Sequence, residues 1–586
     1  MDNEMTANID ISAEENKEKR AEDYFFRASA ADFKKIPGSP IAYWVSDTVR
    51  TCFKNFERLG SENAPRQGMA TSDNNRFLRL WHEVSLCKVK INSKSHSEAL
   101  ESKATWFPYN KGGKYRRWYG NNEYLVNWKN DGEELIAYAA ELYGSPTRTI
   151  KNIPYYFKPC ATWSFVSSSY FGVRYSPAGF LFDVGGSSAF CPEKMLPILT
   201  AFLCSKLAPY LLSILNPTLN FQAGTISNLP FSCGDQLQQE KIREIAQACI
   251  AIAKEDWDTL EISWNFSTFY LLVSSIKQQT IQSSCLKWNT YNSSQRTKLI
   301  DLEQSNNKIF LKLFGLENEL SSSVNNDQIT LVEANNDSDV QNLISYAIGC
   351  MMGRYSLDEP GLIYAHSGNE GFDSNRYTTF PADDDGIVPV MDMNWFDDDA
   401  SKRFEEFLKV AWNEETLEEN LKFVADSLAP KRGEEPRETI RRFISTSFFK
   451  DHHLRTYKKR PIYWFFSSGK NKAFECLVYL HRYNESTLSR MRSMYVTPLQ
   501  GKFNATIEYL QKEKEEAPST STAKSIQKQL NTMLKKQEEL RAFDELLRHY
   551  ADQRISLDLD DGVKVNYGKF GKLLAEVKAV TGEKAE

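Results

Sequence analysis

The sequence lacks the short signatures that mark most enzyme classes. It contains no Pro-Pro dipeptide, and none of its ten cysteines forms a Cys-x-x-Cys pair. Thiols scattered in this way are typical of core packing in a reducing cytoplasm and argue against a disulfide framework or a zinc site. With seven histidines in the chain, no Ser/His/Asp or Cys/His arrangement stands out. These absences argue against the common hydrolytic and zinc-dependent chemistries.

A strong net charge and long apolar runs are also missing. The formal net charge is −5 over 586 residues, so any surface that binds nucleic acid must be local. No run of about 18 apolar residues occurs, which excludes a membrane span. The first 20 residues are acidic and polar, unlike a secretory signal. The chain is therefore expected to fold, as several domains, in the cytoplasm.

One stretch, residues 155–231, organises our interpretation of the rest. Its first part is rich in β-branched and aromatic residues and predicts strands that turn near Gly172 and Gly179. Pro192 then opens a predicted helix with apolar residues three and four positions apart. Residues 216–231 are too interrupted by Pro and Gly for a helix or a long strand. The pattern predicts a compact α+β module.

The best local candidate for a DNA surface is a basic loop at residues 111–122. Its residues with the chemistry to contact phosphates or bases are Lys111, Lys114, Arg116, Arg117, Trp118, Asn121 and Asn122. The loop contains no acid, and its glycines would allow the backbone to approach a phosphate. The alternative interpretation is a solvated turn whose aromatic residues lie in the core.

Two further segments carry weaker candidates. In the first, Arg66, Asn74, Asn75 and Arg76 could contact DNA, although a structural turn or helix cap explains the same residues. In the second, residues 431–460 hold ten Lys or Arg against four Asp or Glu, and the candidates there are Arg441, Arg442, Lys458 and Lys459. A basic surface that pairs with nearby acidic stretches is the alternative.

The remaining pattern is largely helical. Apolar spacing predicts helices from residue 236 to about 316, a polar linker at 321–339, and a second body from about 340 with a core strand at 461–466. Residues 503–516 and 522–549 predict an antiparallel helical pair, because no strict heptad is sustained. The acidic triplets at 383–385 and 397–399 are weak evidence for a metal, since acids also favour helix N-termini.

Parts of this pattern resemble a known family. The motif residues are Asn216, Pro217, Thr218, Phe221, Gln222, Gly224, Ile226, Leu229, Pro230 and Phe231. They are similar to the closing segment of target-recognition domains in adenine-specific DNA methyltransferases and type IIG restriction-modification enzymes. The runs at 35–44, 65–77, 106–113, 116–120, 349–358 and 460–469 resemble one branch, the adenine methyltransferases of BREX phage-defence systems, the PglX family.

The resemblance implies an architecture and a role. The expected fold is α+β: a disordered or residual linker at 1–36, a target-recognition domain at 37–232, a helical spacer and linker at 233–339, an α+β domain at 340–500, and a helical pair and tail at 501–586. It implies sequence-specific binding of double-stranded DNA by the C-terminal portion of a site-specific adenine-N6 methyltransferase. The family's Gly-rich loop for S-adenosylmethionine and its Asn/Asp-Pro-Pro-aromatic motif for the flipped adenine are both missing here.

Three hypotheses follow from that combination. In the first, the chain recognises DNA, and S-adenosylmethionine binding and catalysis belong to a separate or lost catalytic polypeptide. That polypeptide and other BREX proteins would be its partners. In the second, the chain is a non-enzymatic protein that assembles or regulates the defence complex. In the third, it is the remnant of a truncated gene, which predicts a catalytic reading frame immediately upstream.

Overall fold

The computed structural model describes residues 29–583. Helices combined with several small sheets confirm the predicted α+β class and its largely helical C-terminal region. Residues 1–36 are predicted to be disordered or a residual linker. Of these, residues 1–28 lie outside the described residues. We call residues 29–265 and 289–335 the N-terminal body and residues 266–288 and 336–583 the C-terminal body, because the buried side chains from Phe266 to Trp288 pack into the core of the C-terminal residues. The domain bounds expected from the sequence remain predictions.

The strands are short and form four sheets. They are β1 (Glu57–Arg58), β2 (Ala64–Arg66), β3 (Leu78–Leu80), β4 (Trp106–Asn110), β5 (Tyr124–Asn127), β6 (Cys160–Trp163), β7 (Val173–Ser176), β8 (Leu181–Phe182), β9 (Ser188–Phe190), β10 (Pro230–Phe231), β11 (Ile387–Pro389), β12 (Tyr463–Ser467) and β13 (Glu475–Tyr479).

Two four-stranded sheets build the N-terminal body. The first has the order β2-β9-β6-β7 and is antiparallel throughout, and the second has the order β3-β5-β4-β8 with a parallel β4–β8 pair. β4 and β6 are buried along their whole length, which explains why the sequence there shows apolar runs instead of alternation. β1 and β10 pair with Glu57 opposite Phe231, so the end of the module at 155–231 contacts residues 57–58.

The α-helices follow in chain order. They are α1 (Ala30–Phe33), α2 (Asp47–Asn55), α3 (Leu59–Glu62), α4 (Asn74–Phe77), α5 (His96–Glu101), α6 (Lys129–Tyr143), α7 (Leu196–Cys204), α8 (Leu207–Leu215), α9 (Ala223–Ser227), α10 (Gln236–Asp258), α11 (Ile281–Phe314), α12 (Asn336–Met351), α13 (Ala400–Ala411), α14 (Leu417–Ser427), α15 (Pro436–Arg442), α16 (Leu454–Thr456), α17 (Thr487–Arg490), α18 (Thr497–Glu515), α19 (Thr520–Asp552), α20 (Gly562–Gly568) and α21 (Val577–Thr581). π-helical turns at Phe443–His453 and Met491–Val496 join α15 to α16 and α17 to α18.

The long helix α11 links the two bodies. Thr280 and Ser283 form a capping box at its start, and Gly315, with φ of 67°, ends it. Its 34 residues span about 50 Å at 1.5 Å per residue. Trp288, near its start, is buried in the core of the C-terminal body, whereas Phe310, near its end, is buried in the core of the N-terminal body. The helix therefore fixes the distance between the two cores.

The C-terminal body surrounds a three-stranded antiparallel sheet of order β11-β13-β12. β12 confirms the predicted core strand, since Trp464 is fully buried. The predicted antiparallel helical pair is confirmed by α18 and α19, which bury Phe503 and Leu530 among other apolar residues. Within residues 29–583, no single helix has both the length and the apolarity needed to cross a membrane, and the bent apolar pair of α7 and α8 is mostly buried in the core.

Candidate nucleic-acid interface

A cleft of about 980 Å³ opens between the sheet β3-β5-β4-β8 and the C-terminal helices α20 and α21. Its cationic lining residues are Arg79, Lys111, Lys458, Arg460, Lys564 and Lys569, and its acidic ones are Glu83, Asp561 and Glu583. Six cations line the cleft against three acids, and two further carboxylates, Asp183 and Glu123, pair with Lys111 and Lys458. The cleft therefore keeps a small excess of positive charge, although the chain as a whole is acidic. A basic concave surface is suited to a phosphate backbone.

The first wall of the cleft carries three of the residues predicted to contact DNA. Asn74 and Asn75 are exposed at the start of α4, where the Asp73 side chain accepts a hydrogen bond from the Arg76 amide at 3.0 Å. Lys111 Nζ lies 3.3 Å from Asn74 Oδ1 and 2.6 Å from Asp183 Oδ2. The fold therefore places the basic loop beside the start of α4.

The floor of the cleft is a buried arginine. Arg79 is 8% exposed and donates two hydrogen bonds to the Asp560 carbonyl oxygen, from Nε at 2.9 Å and from Nη2 at 2.6 Å. Burial lowers the pKa of Arg79, while Glu83 and the aspartates at 560 and 561 oppose that shift. Glu83 also accepts a hydrogen bond from the Val563 amide at 2.9 Å. These contacts dock the end of the chain on the N-terminal sheet.

The second wall contains the end of the basic segment. Lys458 forms an ion pair with the buried Glu123 and lies 5.6 Å from the centroid of the Tyr124 ring. Lys459 beside it is exposed, and its side chain has no partner within residues 29–583. Arg460 Nε lies 3.9 Å from Glu83 Oε2. This segment therefore brings Lys458 and Arg460 to the cleft lining, each beside a carboxylate.

Buried contacts fix the two walls relative to each other. The Trp106 indole donates to Asp560 Oδ1 at 2.8 Å, and His481 Nε2 lies 3.0 Å from the His82 carbonyl oxygen. The fully buried Arg354 guanidinium lies 5.3 Å from the centroid of the Trp81 ring. Because these contacts join residues hundreds of positions apart, the cleft belongs to the tertiary structure as a whole.

Part of the predicted basic loop is buried instead of facing solvent. Arg116 pairs with Asp256 at 2.6 Å, and Arg117 pairs with Glu303 at 2.7 Å. Glu303 also accepts a hydrogen bond from the Trp118 indole at 2.6 Å. These loop residues hold the loop against α10 and α11, so we do not include them in the proposed DNA surface.

The same loop keeps some exposed polar groups. The Lys114 side chain is exposed and has no partner within the described residues. Asn121 is half-buried and donates to the Lys114 carbonyl oxygen at 2.9 Å, whereas Asn122 is buried. DNA contact by this loop remains a prediction that depends on Lys111, Lys114 and Asn121.

Other predicted residues make contacts within the protein. Arg76 pairs with Glu134 at 2.7 Å on the surface, and half-buried Arg66 lies 5.3 Å from the centroid of the Tyr155 ring. The structure brings neither to the cleft lining.

The two arginines of the basic segment also find partners. Arg441 pairs with the fully buried Asp399 at 2.8 Å, and Arg442 pairs with Glu434 at 2.7 Å. Both pairings match the alternative interpretation, a basic segment neutralised by acids. An acidic partner beside each arginine reduces the positive charge available to a nucleic acid.

Several cleft residues were not predicted from the sequence. Arg79, Lys564 and Lys569 are isolated cations in ordinary amphipathic surroundings, whereas Arg460 belongs to the basic segment 431–460. No local signal distinguishes them, because the cleft joins positions up to about 480 residues apart.

The glycines at 185 and 186 have a structural explanation. Asp183 accepts hydrogen bonds from the Gly185 amide and from Tyr109 Oη. A Cβ atom on Gly186 would lie 2.0 Å from the Asn110 carbonyl oxygen, so this glycine permits close backbone packing. Within residues 29–583 no group of three or more His, Cys, Asp or Glu side chains could hold a metal ion.

Comparison with known proteins gives two close relatives. The chain is 43% identical over 583 residues to the adenine-specific methyltransferase BrxX of Escherichia coli O9:H4 (strain HS), covering 95% of this chain and 46% of that protein. It is 39% identical over 553 residues to the adenine-specific methyltransferase PglX of Lacticaseibacillus casei (strain Zhang), covering 93% and 45%. The chain thus spans about half the length of these relatives. No family model matches it.

Proposed function

We propose that this chain is the DNA-recognising portion of an adenine-specific methyltransferase of BREX phage defence. The proposal rests on the similarity of nearly the whole chain to about half of the BrxX and PglX adenine-specific methyltransferases. The chain corresponds in this proposal to the C-terminal portion and binds double-stranded DNA in the cytoplasm. S-adenosylmethionine binding and methyl transfer come from the catalytic portion, which this chain does not contain.

The observation that carries the proposal is the basic cleft. Its six cations are supplied by both bodies, so an occupant would contact both at once. Lys114 and Lys459, which have no side-chain partners in the described part, would extend the basic surface beyond the cleft. Duplex DNA carries one negative charge per 1.7 Å of helix axis, so an extended basic surface would contact several phosphates.

A salt series tests the proposal. Fluorescence anisotropy with a labelled duplex of mixed sequence measures affinity for the full chain, for the Lys114→Ala/Lys564→Ala variant, and for a control. The control, Lys524→Ala/Lys528→Ala, removes two exposed lysines of α19 that also lack side-chain partners in the described residues. Each lost phosphate contact should reduce the slope of log affinity against log salt by about 0.9.

The outcomes separate the hypotheses. A lower slope in the Lys114→Ala/Lys564→Ala variant with an unchanged slope in the control supports DNA binding along the cleft and the adjoining basic loop. Affinity that does not fall with salt, or equal losses in both variants, contradicts it.

A second candidate function is assembly with other defence proteins. It is favoured by the helical pair α18–α19, where Tyr509 is 64% exposed and Leu534 is 41% exposed. Binding of the purified chain to individually purified BREX proteins would fall in a Tyr509→Ala/Leu534→Ala variant while DNA affinity stayed unchanged.

A further inference from the structure

A two-stranded ribbon lies next to the basic loop. It consists of residues 165–167 and 219–221. The Phe221 amide donates to the Phe165 carbonyl oxygen at 2.7 Å, and the Ser167 amide donates to the Leu219 carbonyl oxygen at 3.2 Å. Val166 and Asn220 are antiparallel bridge partners between these bonds. Directly opposed residues of an antiparallel pair project from the same face, with Cβ atoms about 4.5–5.5 Å apart.

The side chains of that opposed pair face solvent. Val166 is 59% exposed, and Asn220 is exposed with no hydrogen bond to its side-chain amide within residues 29–583. The valine methyl groups and the asparagine amide therefore lie side by side in solvent. The asparagine offers one acceptor and two donor hydrogens that no other group among the described residues uses.

The ribbon is rigidly supported from behind. The Trp163 indole donates to the Phe221 carbonyl oxygen at 2.8 Å, and the rings of Phe171 and Phe221 lie 4.6 Å apart. Both rings pack on the core of the N-terminal body. An exposed pair on a fixed support can recognise a partner without a large entropic cost.

The surroundings of the ribbon suit an anionic partner. Residues 160–182 and 194–234, which include both strands of the ribbon, contain no Asp or Glu. Ser164 Oγ donates to the Gly113 carbonyl oxygen at 3.0 Å, so the ribbon adjoins the loop that bears Lys114. One carboxylate of a neighbouring segment, Asp327, accepts a hydrogen bond from Tyr170 Oη at 2.7 Å.

We infer that Val166 and Asn220 read one A·T base pair in the major groove, an inference that depends on the proposed function. A two-stranded ribbon fits the major groove. An asparagine amide can bind adenine N6 and N7 together, and an apolar side chain contacts the thymine methyl group on the same edge. The opposed geometry presents both groups to one base pair, while Lys114 neutralises a nearby phosphate.

The test begins with the full chain and a pool of random duplexes, from which the bound site is enriched. When the same selection is made with the Asn220→Ala variant, the enriched sites should no longer favour A·T at one position. In the wild-type site, replacing that adenine by 7-deazaadenine, or its thymine by uracil, should weaken binding by about tenfold and severalfold, respectively. In the Asn220→Ala variant, 7-deazaadenine should not weaken binding any further. In the Val166→Ala variant, uracil should not weaken binding any further.

Controls and outcomes keep the inference separate from the proposed function. Leu237→Ala and Asn531→Ala remove an exposed leucine of α10 and an exposed asparagine of α19, and they should leave the enriched site unchanged. One contrary result is binding that depends on salt while the affinity losses from the base analogues and from the ribbon variants simply add. Another is salt-dependent binding with no enriched site. Either result shows that the ribbon inference is wrong, and DNA binding itself is then still supported. Absence of salt-dependent binding overturns both.

Discussion

Replacing Gly562 by alanine should loosen the docking of the C-terminal segment on the N-terminal sheet. Gly562 has φ of 80° and ψ of 167°, a conformation that costs a residue with a side chain about 1–3 kcal/mol. A Cβ atom there would lie 2.7 Å from Arg79 Nε, so the guanidinium would have to move. Weakening its charged hydrogen bonds to Asp560 adds about 1–2 kcal/mol. Together these effects amount to about 3 kcal/mol.

Native-state hydrogen exchange measures this change directly. The Val563 amide donates to buried Glu83, so its exchange reports the opening of this segment. A loss of about 3 kcal/mol corresponds to exchange that is faster by roughly 100-fold. Gly361→Ala is the matched control, since Gly361 also has a positive φ, 89°, but no neighbouring atom lies within 4 Å of the place that an alanine Cβ would take.

The control shows whether an alanine at a positive φ elsewhere in the chain changes Val563 exchange. Gly361→Ala should cost about 1–2 kcal/mol locally and leave Val563 exchange unchanged. Unchanged Val563 exchange in Gly562→Ala would show that the segment does not depend on Arg79, and the account of the cleft floor would then be wrong.

Three other substitutions or conditions give clear expectations. Burial lowers the pKa of His481 to about 3, so the folded state keeps this side chain neutral, while between pH 7 and pH 5 the unfolded chain takes up the proton. His481 therefore contributes about 2 kcal/mol to the loss of unfolding free energy measured with urea, and His481→Gln should reduce the loss by that amount. The buried His82, His452 and His453, whose pKa values are also lowered, keep their own contributions. Arg117→Ala leaves the buried Glu303 carboxylate without its cationic partner and should lower the free energy of unfolding by about 3–5 kcal/mol in the same assay. If desolvation of the carboxylate is the cause, the double variant Arg117→Met/Glu303→Leu should restore most of that loss. Gly186→Ala should lower the thermal midpoint by several degrees, because its Cβ would lie 2.0 Å from the Asn110 carbonyl oxygen; an unchanged midpoint would contradict the close packing.

The basic loop shows why a charge run does not identify a binding surface. Its glycines, cations and aromatics are all present in the sequence, but Arg116 and Arg117 turn inward to meet Asp256 and Glu303. Those acids lie about 140 and 186 residues further along the chain. The sequence of one segment indicates which charged residues it contains, but not which of them are neutralised by partners far along the chain.

Local physical chemistry determined the elements that depend on neighbouring residues. The strands around residue 162, the helices from residue 236 and the antiparallel pair α18–α19 follow from apolar periodicity, and caps such as Asp235 with Gln238 lie at their starts. The resemblance to adenine-specific methyltransferases could also be recognised from the sequence, because its motifs are contiguous runs of residues.

Only the tertiary structure decided where the candidate interface lies. Arg79 and Asp560 face each other across about 480 residues, Lys458 reaches Glu123 across about 335, and Val166 is opposed to Asn220 because two distant loops pair. Periodicity and propensity act over a few residues. A cleft is formed by contacts between distant segments, and the sequence of one segment does not specify them. The sequence therefore determined the elements, and their packing determined which charges remain available to a ligand.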